Sequence, residues 1–548
     1  MSETRYIIGV DTGGTYTDAV LLDTATGRVL GSAKRPTTHH DLSVGISQAL
    51  QAVIEATTVA PADVGTVAVS TTLATNTVVE GRGARVGLIM IGHDKPMTDL
   101  PIVDCWHVEG GHTIMGEEFK PLDVGSLLNG IQGFKGHVDA YAVSSLMSFV
   151  NPAHELVAAK AIELTDPRPV FCSHQASSRA GVKERAATAA LNARLMPVMR
   201  DFLDSVRASL AALGFSGQVA VVGGDATATD IGGAVEKAAA TVASGPAATA
   251  CFGAVTALHR NAIVVDVGGT TTDVTLIMDG RPTIKESGNV IGDWETHVRA
   301  VEMFTVGVGG DSHVRLSGQR LVVGPSRVQP LCLAPDAPPP SAWLGGGVDA
   351  KCIVPSPALT PEQAAADPML AFLVANGPTP PSRLKEHLVM PDVTLEMRLA
   401  DAIRRQQISV AGFTPTDALH ALGALHFGDQ DIAQRAARVL ADAMGLAVDA
   451  FCEKVLDAAR DIIEKAILRQ VLYCELGHSL GGILDSMHTF RHLKVRITTA
   501  LPIIGIGAAS RHLLPQVAER LDTTIVFPEY YAVGNAVGAA HIAAGALA

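Results

Sequence analysis

Short apolar runs broken by polar turns open this chain and return at its middle. Residues 6–10 and 19–22 are apolar, and Asp11-Thr12-Gly13-Gly14-Thr15-Tyr16-Thr17-Asp18 lies between them. Apolar run, glycine turn, apolar run predicts a β-hairpin. The pattern recurs at 263–265 and 274–277, around Asp266-Val267-Gly268-Gly269-Thr270-Thr271-Thr272-Asp273. Residues 29–34 predict a third strand after the first hairpin. Further strands are predicted at 64–69, 86–91, 140–150, 170–174, 219–222 and 523–528. Helical spacing of apolar positions appears at 42–55, 183–193, 198–213 and across 395–470, the last including Leu399, Ile403 and Ile408.

The repeated turn carries chemistry. Glycines let the backbone turn sharply and approach a ligand. Threonines and free backbone N–H groups suit phosphate oxygens. Asp11 and Asp266 suit Mg²⁺ (or Mn²⁺), which takes few protein ligands. One copy alone could be an ordinary hairpin turn. Recurrence with every polar residue in place favours a ligand, and two copies imply two similar half-domains gripping one polyphosphate. One more glycine turn fits the same chemistry: Gly309-Gly310-Asp311-Ser312 suits phosphate or metal.

Composition narrows the class. The chain has 548 residues, 47% of them apolar and 4% aromatic, with a net charge of −13. That length predicts several units, and the absence of a basic block argues against nucleic acid. Seven scattered cysteines without C-x-x-C predict reduced thiols in a cytoplasmic protein, and no signal peptide or membrane span is visible.

These motifs resemble the two phosphate loops of the actin-like ATPase superfamily, and their wording resembles the hydantoinase A/5-oxoprolinase family. Ser70-Thr71-Thr72-Leu73-Ala74-Thr75-Asn76, with Glu80 and Gly83, resembles the family's S-T-T-x-A-T-N-x-x-x-E-x-x-G. It could line a polar site, or cap a helix through Thr72 or Thr75. Glu109-Gly110-Gly111-His112 resembles the start of G-G-H-D, with Thr113 in place of the aspartate. Asn151-Pro152-Ala153-His154-Glu155 matches N-P-x-H-E, where Asn151 would cap a helix and His154 and Glu155 could be first-turn residues. Glu184, Thr188 and Asn192 fall on one helix face, either solvated or lining a cleft. Residues 241–254 and 531–540 resemble the two connecting helices of the superfamily. Gly223-Gly224-Asp225 departs from the family's G-D-G, and Gly309-Gly310-Asp311-Ser312 departs from G-G-G-S.

The resemblance implies an α/β, two-lobed actin-like (RNase H-like) fold. The first lobe would span 1–255 with a subdomain inserted at about 75–240. The second would span 256–548 with a helical and proline-rich insertion at about 330–470, its last helix returning to the first lobe. It implies ATP and Mg²⁺, with Asp11, Asp18, Asp266 and Asp273 in the catalytic machinery and Asp11 and Asp266 on the metal. Phosphates and adenosine would lie on Gly13, Gly14, Thr15, Thr17, Gly268, Gly269, Thr270, Thr272, Gly309, Gly310, Gly505 and Gly507. Thr75, Asn76, His112, Glu184 and Asn192 would meet substrate. The implied activity is phosphorylation and opening of a cyclic amide such as a hydantoin, 5-oxoproline or a lactam. The alternative is an ATP-binding activating subunit of a carboxylase or another multisubunit enzyme. A hydantoinase B-type or other partner subunit and an oligomer are implied. Gly477-His478-Ser479-Leu480-Gly481 spells G-x-S-x-G. It lacks a preceding strand, and Asp485 and His488 stand too close behind it for a hydrolase triad, so it is read as a loop.

Overall fold

The computed structural model describes all residues except 1–4, 15, 39–41, 95, 96, 98, 346–349, 358, 478, 479, 487–491, 493, 494 and 548. Thr15 therefore lies outside the described residues, as do His478, Ser479 and His488. Two compact units are present. The first comprises Met1–Arg260, Ile277–Glu302 and Val533–Ala548, and the second Asn261–Leu276 and Met303–Ala532.

In the first unit the apolar runs become a six-stranded sheet. Its order is Ala228–Thr229, Gln218–Val222, Val64–Thr71, Tyr6–Thr12, Tyr16–Asp23, Arg28–Pro36. The central strand runs parallel to Val64–Thr71 and antiparallel to Tyr16–Asp23, with Asp11 opposite Asp18 across the hairpin. Helix Leu42–Glu55 covers the sheet with Ile46, Leu50 and Val53, all buried. The last helix, Gly534–Ala543, belongs to this unit and lies close against the central strand. A Cβ on Gly9 would stand 1.9 Å from the Ala536 carbonyl oxygen, and one on Gly538 would stand 1.8 Å from that of Ala248. Only glycine permits approaches this close.

An inserted parallel sheet follows in the same unit, in the order Asp104–Val108, Val86–Ile91, Ala140–Ser145, Val170–Cys172. Helices Val124–Phe134 and Ala153–Thr165 pack on it around Ile89, Ile91, Leu127, Ile131, Val143 and Ile162. Residues 183–193 and 198–213 were expected as two helices. They form one, Val182–Ala212, with Pro197 inside it. The predicted strand at 140–150 stops at Ser145, and the one at 170–174 stops at Cys172, where a 3₁₀ turn takes over.

The second unit repeats the hairpin sheet in the order Met303–Val306, Thr272–Met278, Ala262–Val267, Ile503–Ile506, Ile525–Val526. Leaving out the two-residue strands Ala228–Thr229 and Arg281–Pro282 and counting along the chain, both sheets read 3-2-1-4-5, as the expected RNase H-like duplication requires. The predicted strand at 523–528 is only Ile525–Val526. The stretch 395–470 is not all helix. Ile408–Gly412 is a strand paired with Lys351–Pro355, because a stretch as short as Ile-Ser-Val-Ala-Gly suits either element until a partner strand takes its backbone. Four short helices between these strands close a separate small core around Leu370, Leu373, Leu384, Leu395 and Leu399. Helix Val448–Leu476 ends at Gly477, whose left-handed φ of 73° suits glycine.

Candidate functional site

The first turn is built by the hairpin, and its register decides which side chains meet. Gly13 N–H donates to the Tyr16 carbonyl at 3.0 Å. Thr37 donates its hydroxyl proton to Gly13 O at 2.8 Å, so Thr17, 3.2 Å away, donates to Thr37. Thr17 is fully buried beneath the turn and ties it to Thr37, just beyond the next strand. Gly14 is exposed, and a Cβ there would meet nothing within 4 Å.

Asp11 is buried and its Oδ1 has no hydrogen-bond partner among the described residues. Its Oδ2 accepts from Asn535 of the last helix at 3.3 Å, and the Asn535 amide oxygen accepts from Thr249 at 2.6 Å. Gly245, at the start of helix Ser244–Thr256, lies against Oδ1, where a Cβ would stand 3.8 Å away. Ser244 Oγ accepts from Thr71 N–H at 3.1 Å and donates to Thr71 O at 3.0 Å. Burial pushes the Asp11 carboxyl up to about 6, against the pull of Ser70 and Asn535. A buried carboxylate oxygen without a donor is an open invitation to a cation. Asp18 is paired with Lys34, 2.7 Å away and opposite it in the strand register.

The second turn repeats the first closely. Gly268 N–H donates to Thr271 O at 3.0 Å, and the buried Thr272 hydroxyl donates to Val308 O at 2.7 Å. Asp273 faces Thr305 in the register and accepts its hydroxyl at 2.7 Å. Burial raises Asp273 above the ordinary carboxylate range. Asp266 is half-buried, and a Cβ on Gly507 would stand 2.6 Å from its Oδ1. Gly309 and Gly310 lie on the turn. Gly310 N–H donates to Gly268 O at 3.0 Å, and a Cβ on Gly309 would strike the Gly268 oxygen at 2.4 Å. Thr270 is exposed at the tip. Gly505 is filled by the Phe527 ring, 2.4 Å from where its Cβ would be, so this glycine serves packing beneath the loop.

The remaining expected residues fall elsewhere in the first unit. Thr75 and Asn76 lie on helix Leu73–Val79, which starts after Thr72; Thr72 makes no side-chain cap but donates its hydroxyl to Thr12 O at 3.1 Å. Asn76 is exposed and donates to Thr72 at 3.2 Å. The stripe Glu184, Thr188, Asn192 is not a solvated face. Thr188 accepts from His297 N–H at 2.8 Å, and the Asn192 amide is committed to the backbone at Glu236 and Ala239.

His112 is 3% exposed, not a loop surface residue, and its Nδ1 has no partner among the described residues. Its ring lies 4.3 Å from that of His154. Burial first, then His154, holds His112 below its usual value. His154 Nδ1 accepts from Gly111 N–H at 2.9 Å, so Nε2 carries the proton and donates to Glu118 at 3.0 Å.

Glu155, expected only as a first-turn residue, stands at the centre of a network that sequence spacing does not reveal. This carboxylate is fully buried and accepts from Ser145 N–H, the Ser173 hydroxyl, His174 N–H and His174 Nδ1. Burial would raise it, but these donors hold it below the ordinary carboxylate range. Arg185 reaches Ser148 and Ser173 at 2.7 and 2.9 Å. Glu155, Cys172 and His174 bring metal-ligand atoms within 4.8 Å of one another. The carboxylate is already saturated and burial holds the Cys172 thiol protonated, so the trio is a structural tie. Lys34 could have been found by counting register across the hairpin. Asn535 lies in a motif read only as a helix.

Family models carry the comparison across nearly the whole chain. The hydantoinase/oxoprolinase N-terminal region matches residues 7–165, and the hydantoinase/oxoprolinase model matches residues 185–544. The chain belongs to the hydantoinase/oxoprolinase family. Among members, it is 29% identical over 373 residues to the acetophenone carboxylase gamma subunit of Aromatoleum aromaticum, covering 59% of this chain and 50% of that one. It is also 29% identical over 388 residues to the caprolactamase subunit alpha of Pseudomonas jessenii, covering 64% and 53%. The chain thus spans about half the length of these curated relatives. The solved ATP-dependent caprolactamase of Pseudomonas jessenii superimposes with a TM-score of 0.68 at 22% identity, over 97% of this chain and 70% of that one. Nucleotide-free acetone carboxylase does so with a TM-score of 0.65 at 19% identity, again over 97% and 70%. These two structures show that the fold is shared. Among the described residues, no helix of this family member is long and apolar enough to cross a membrane.

Proposed function

We propose that this chain is the ATP-dependent subunit of a cyclic-amide hydrolase. The observation that carries the reading is the doubled Asp-x-Gly-Gly turn, with a buried, unpartnered Asp11 oxygen at one copy. The family and the caprolactamase relative support it. The unpartnered Asp11 oxygen fits a hard divalent cation, and Asp266, at the same place in the second turn, is the other candidate metal ligand. The N–H groups of Gly13 and Gly268 close the turns, and those of Gly14 and Gly269 would hold phosphate oxygens without reorganising. Bound ATP supplies the phosphoryl group that turns a poor amide electrophile into an activated one. The Asp18–Lys34 pair keeps a cation beside the first turn, and Asn535 orients Asp11. Thr75, Asn76, His112 and Glu184 remain the candidate contacts to the ring. Thr17, Thr272 and Asn192 hold structure.

A hydantoinase B-type partner would complete the ring opening, since the relatives carry subunit names. The acetophenone carboxylase relative favours a second reading, activation of a substrate for carboxylation. One assay separates them: ADP release with Mg²⁺ against hydantoins, 5-oxoproline and lactams, and against ketones with bicarbonate, with and without partner. Ring-dependent release that vanishes in Asp11→Ala supports the hydrolase. Release that needs a ketone sinks it in favour of carboxylation. Binding of ATP that neither substrate class stimulates, with or without the partner, sinks both enzymatic readings.

A further inference from the structure

The second glycine turn carries an ion pair that the motif does not call for. Asp311 stands where the family commonly has glycine. Its N–H donates to Gly269 O at 2.7 Å, and its Oδ2 lies 2.6 Å from where a Gly269 Cβ would be. The carboxylate therefore rests directly on a turn expected to hold phosphate. Arg327 is the group that answers it. Its Nε and Nη2 both reach Asp311 Oδ2, at 3.3 Å.

Backbone fixes both partners. Ser312 pairs with Arg327 in the ladder of Ser312–Ser317 and Arg320–Arg327, and Val328 N–H donates to Asp311 O at 3.0 Å. Thr416 braces the turn through Gly310 O at 2.8 Å. One carboxylate oxygen takes both contacts, and among the described residues Nη1 makes no hydrogen bond. The guanidinium keeps donors to spare, and its side chain is 38% exposed. A lone carboxylate would repel a polyphosphate here, whereas a paired one is neutral and presents a forked donor suited to phosphate oxygens.

We propose that Arg327, tethered to the second glycine turn by Asp311, is a phosphate-binding residue for the nucleotide, and that Asp311 opposes the nucleotide whenever it is unpaired. This rests on the nucleotide reading above and adds a residue and a sign to it. The test is calorimetric titration of the full chain with ATP plus Mg²⁺, ATP plus EDTA, and ADP plus Mg²⁺. The wild type is compared with Arg327→Ala, Asp311→Gly and the double variant, with thermal melting as the check on folding.

Arg327→Ala should weaken both forms of ATP by about tenfold or more, because it removes a charge-assisted donor and exposes a repulsive carboxylate. Asp311→Gly should bind within about threefold of wild type or tighter, and the double variant should recover most of the loss. Arg327→Lys, which keeps the charge without the fork, should fall between. Unchanged affinity in Arg327→Ala overturns the proposal, as does a double variant no tighter than Arg327→Ala. Loss of magnesium-ATP but not free ATP in Asp311→Gly also overturns it, by making Asp311 a metal ligand. A folded wild type that binds no nucleotide overturns the nucleotide reading itself.

Discussion

The two hairpins share one turn and differ in what surrounds it. Both close with a glycine N–H to a carbonyl three residues on, and both bury a threonine that bonds to the residues just beyond the next strand. Across the register, Asp18 meets Lys34 while Asp273 meets Thr305. The first copy keeps its cation beside the hairpin; the second receives one from a later strand, Arg327 on Asp311. The two copies share the backbone turn and each solves its charge balance separately. A turn closed by backbone N–H groups can be built from any residue but proline, whereas a charge needs one side chain in one place.

The largest test is chemical. Asp11→Ala and Asp266→Ala should each cut ring-dependent ADP release by about 100-fold or more, and a loss in only one would show that the copies differ in task. Next come two glycines. Gly538→Ala should cost about 3 kcal/mol in denaturant unfolding, since its Cβ would strike the Ala248 carbonyl, whereas Gly14→Ala should leave the midpoint unchanged and weaken nucleotide.

Asp11→Asn follows. The native carboxyl, near 6, lies above its ordinary value of 3.8. Ionised Asp11 therefore destabilises the ligand-free fold above pH 6, and the fold gains as pH falls from 6 towards 4. Asn should raise stability by on the order of 2 kcal/mol at pH 7.5. That gain should shrink through pH 6 and vanish near pH 4, as followed by Tm against pH. A gain that does not change with pH would refute the burial account. The smallest effect concerns the charge pair. Lys34→Thr, which makes the first copy resemble the second, should cost about 1 kcal/mol at neutral pH because the lysine is partly exposed.

Much of the fold was legible because its signals are local. The hairpins, the helix Leu42–Glu55 and the strand Val86–Ile91 follow from periodicity and turn residues. Ile408 was misread because five residues, Ile-Ser-Val-Ala-Gly, are too few to show a period of their own. The break expected near Pro197 does not occur, because the helix on either side is held by its buried apolar face.

By itself the sequence determined the repeated turn, its glycines and its carboxylates, since each depends on neighbours within a few residues. Tertiary structure alone decided which carboxylate oxygen was left without a donor. It brought Asn535 to Asp11 across more than 500 positions of chain, set Arg327 on Asp311 and saturated Glu155. The physical reason is that burial and pairing set a carboxylate's charge, and both are properties of packed neighbours that sequence spacing does not encode.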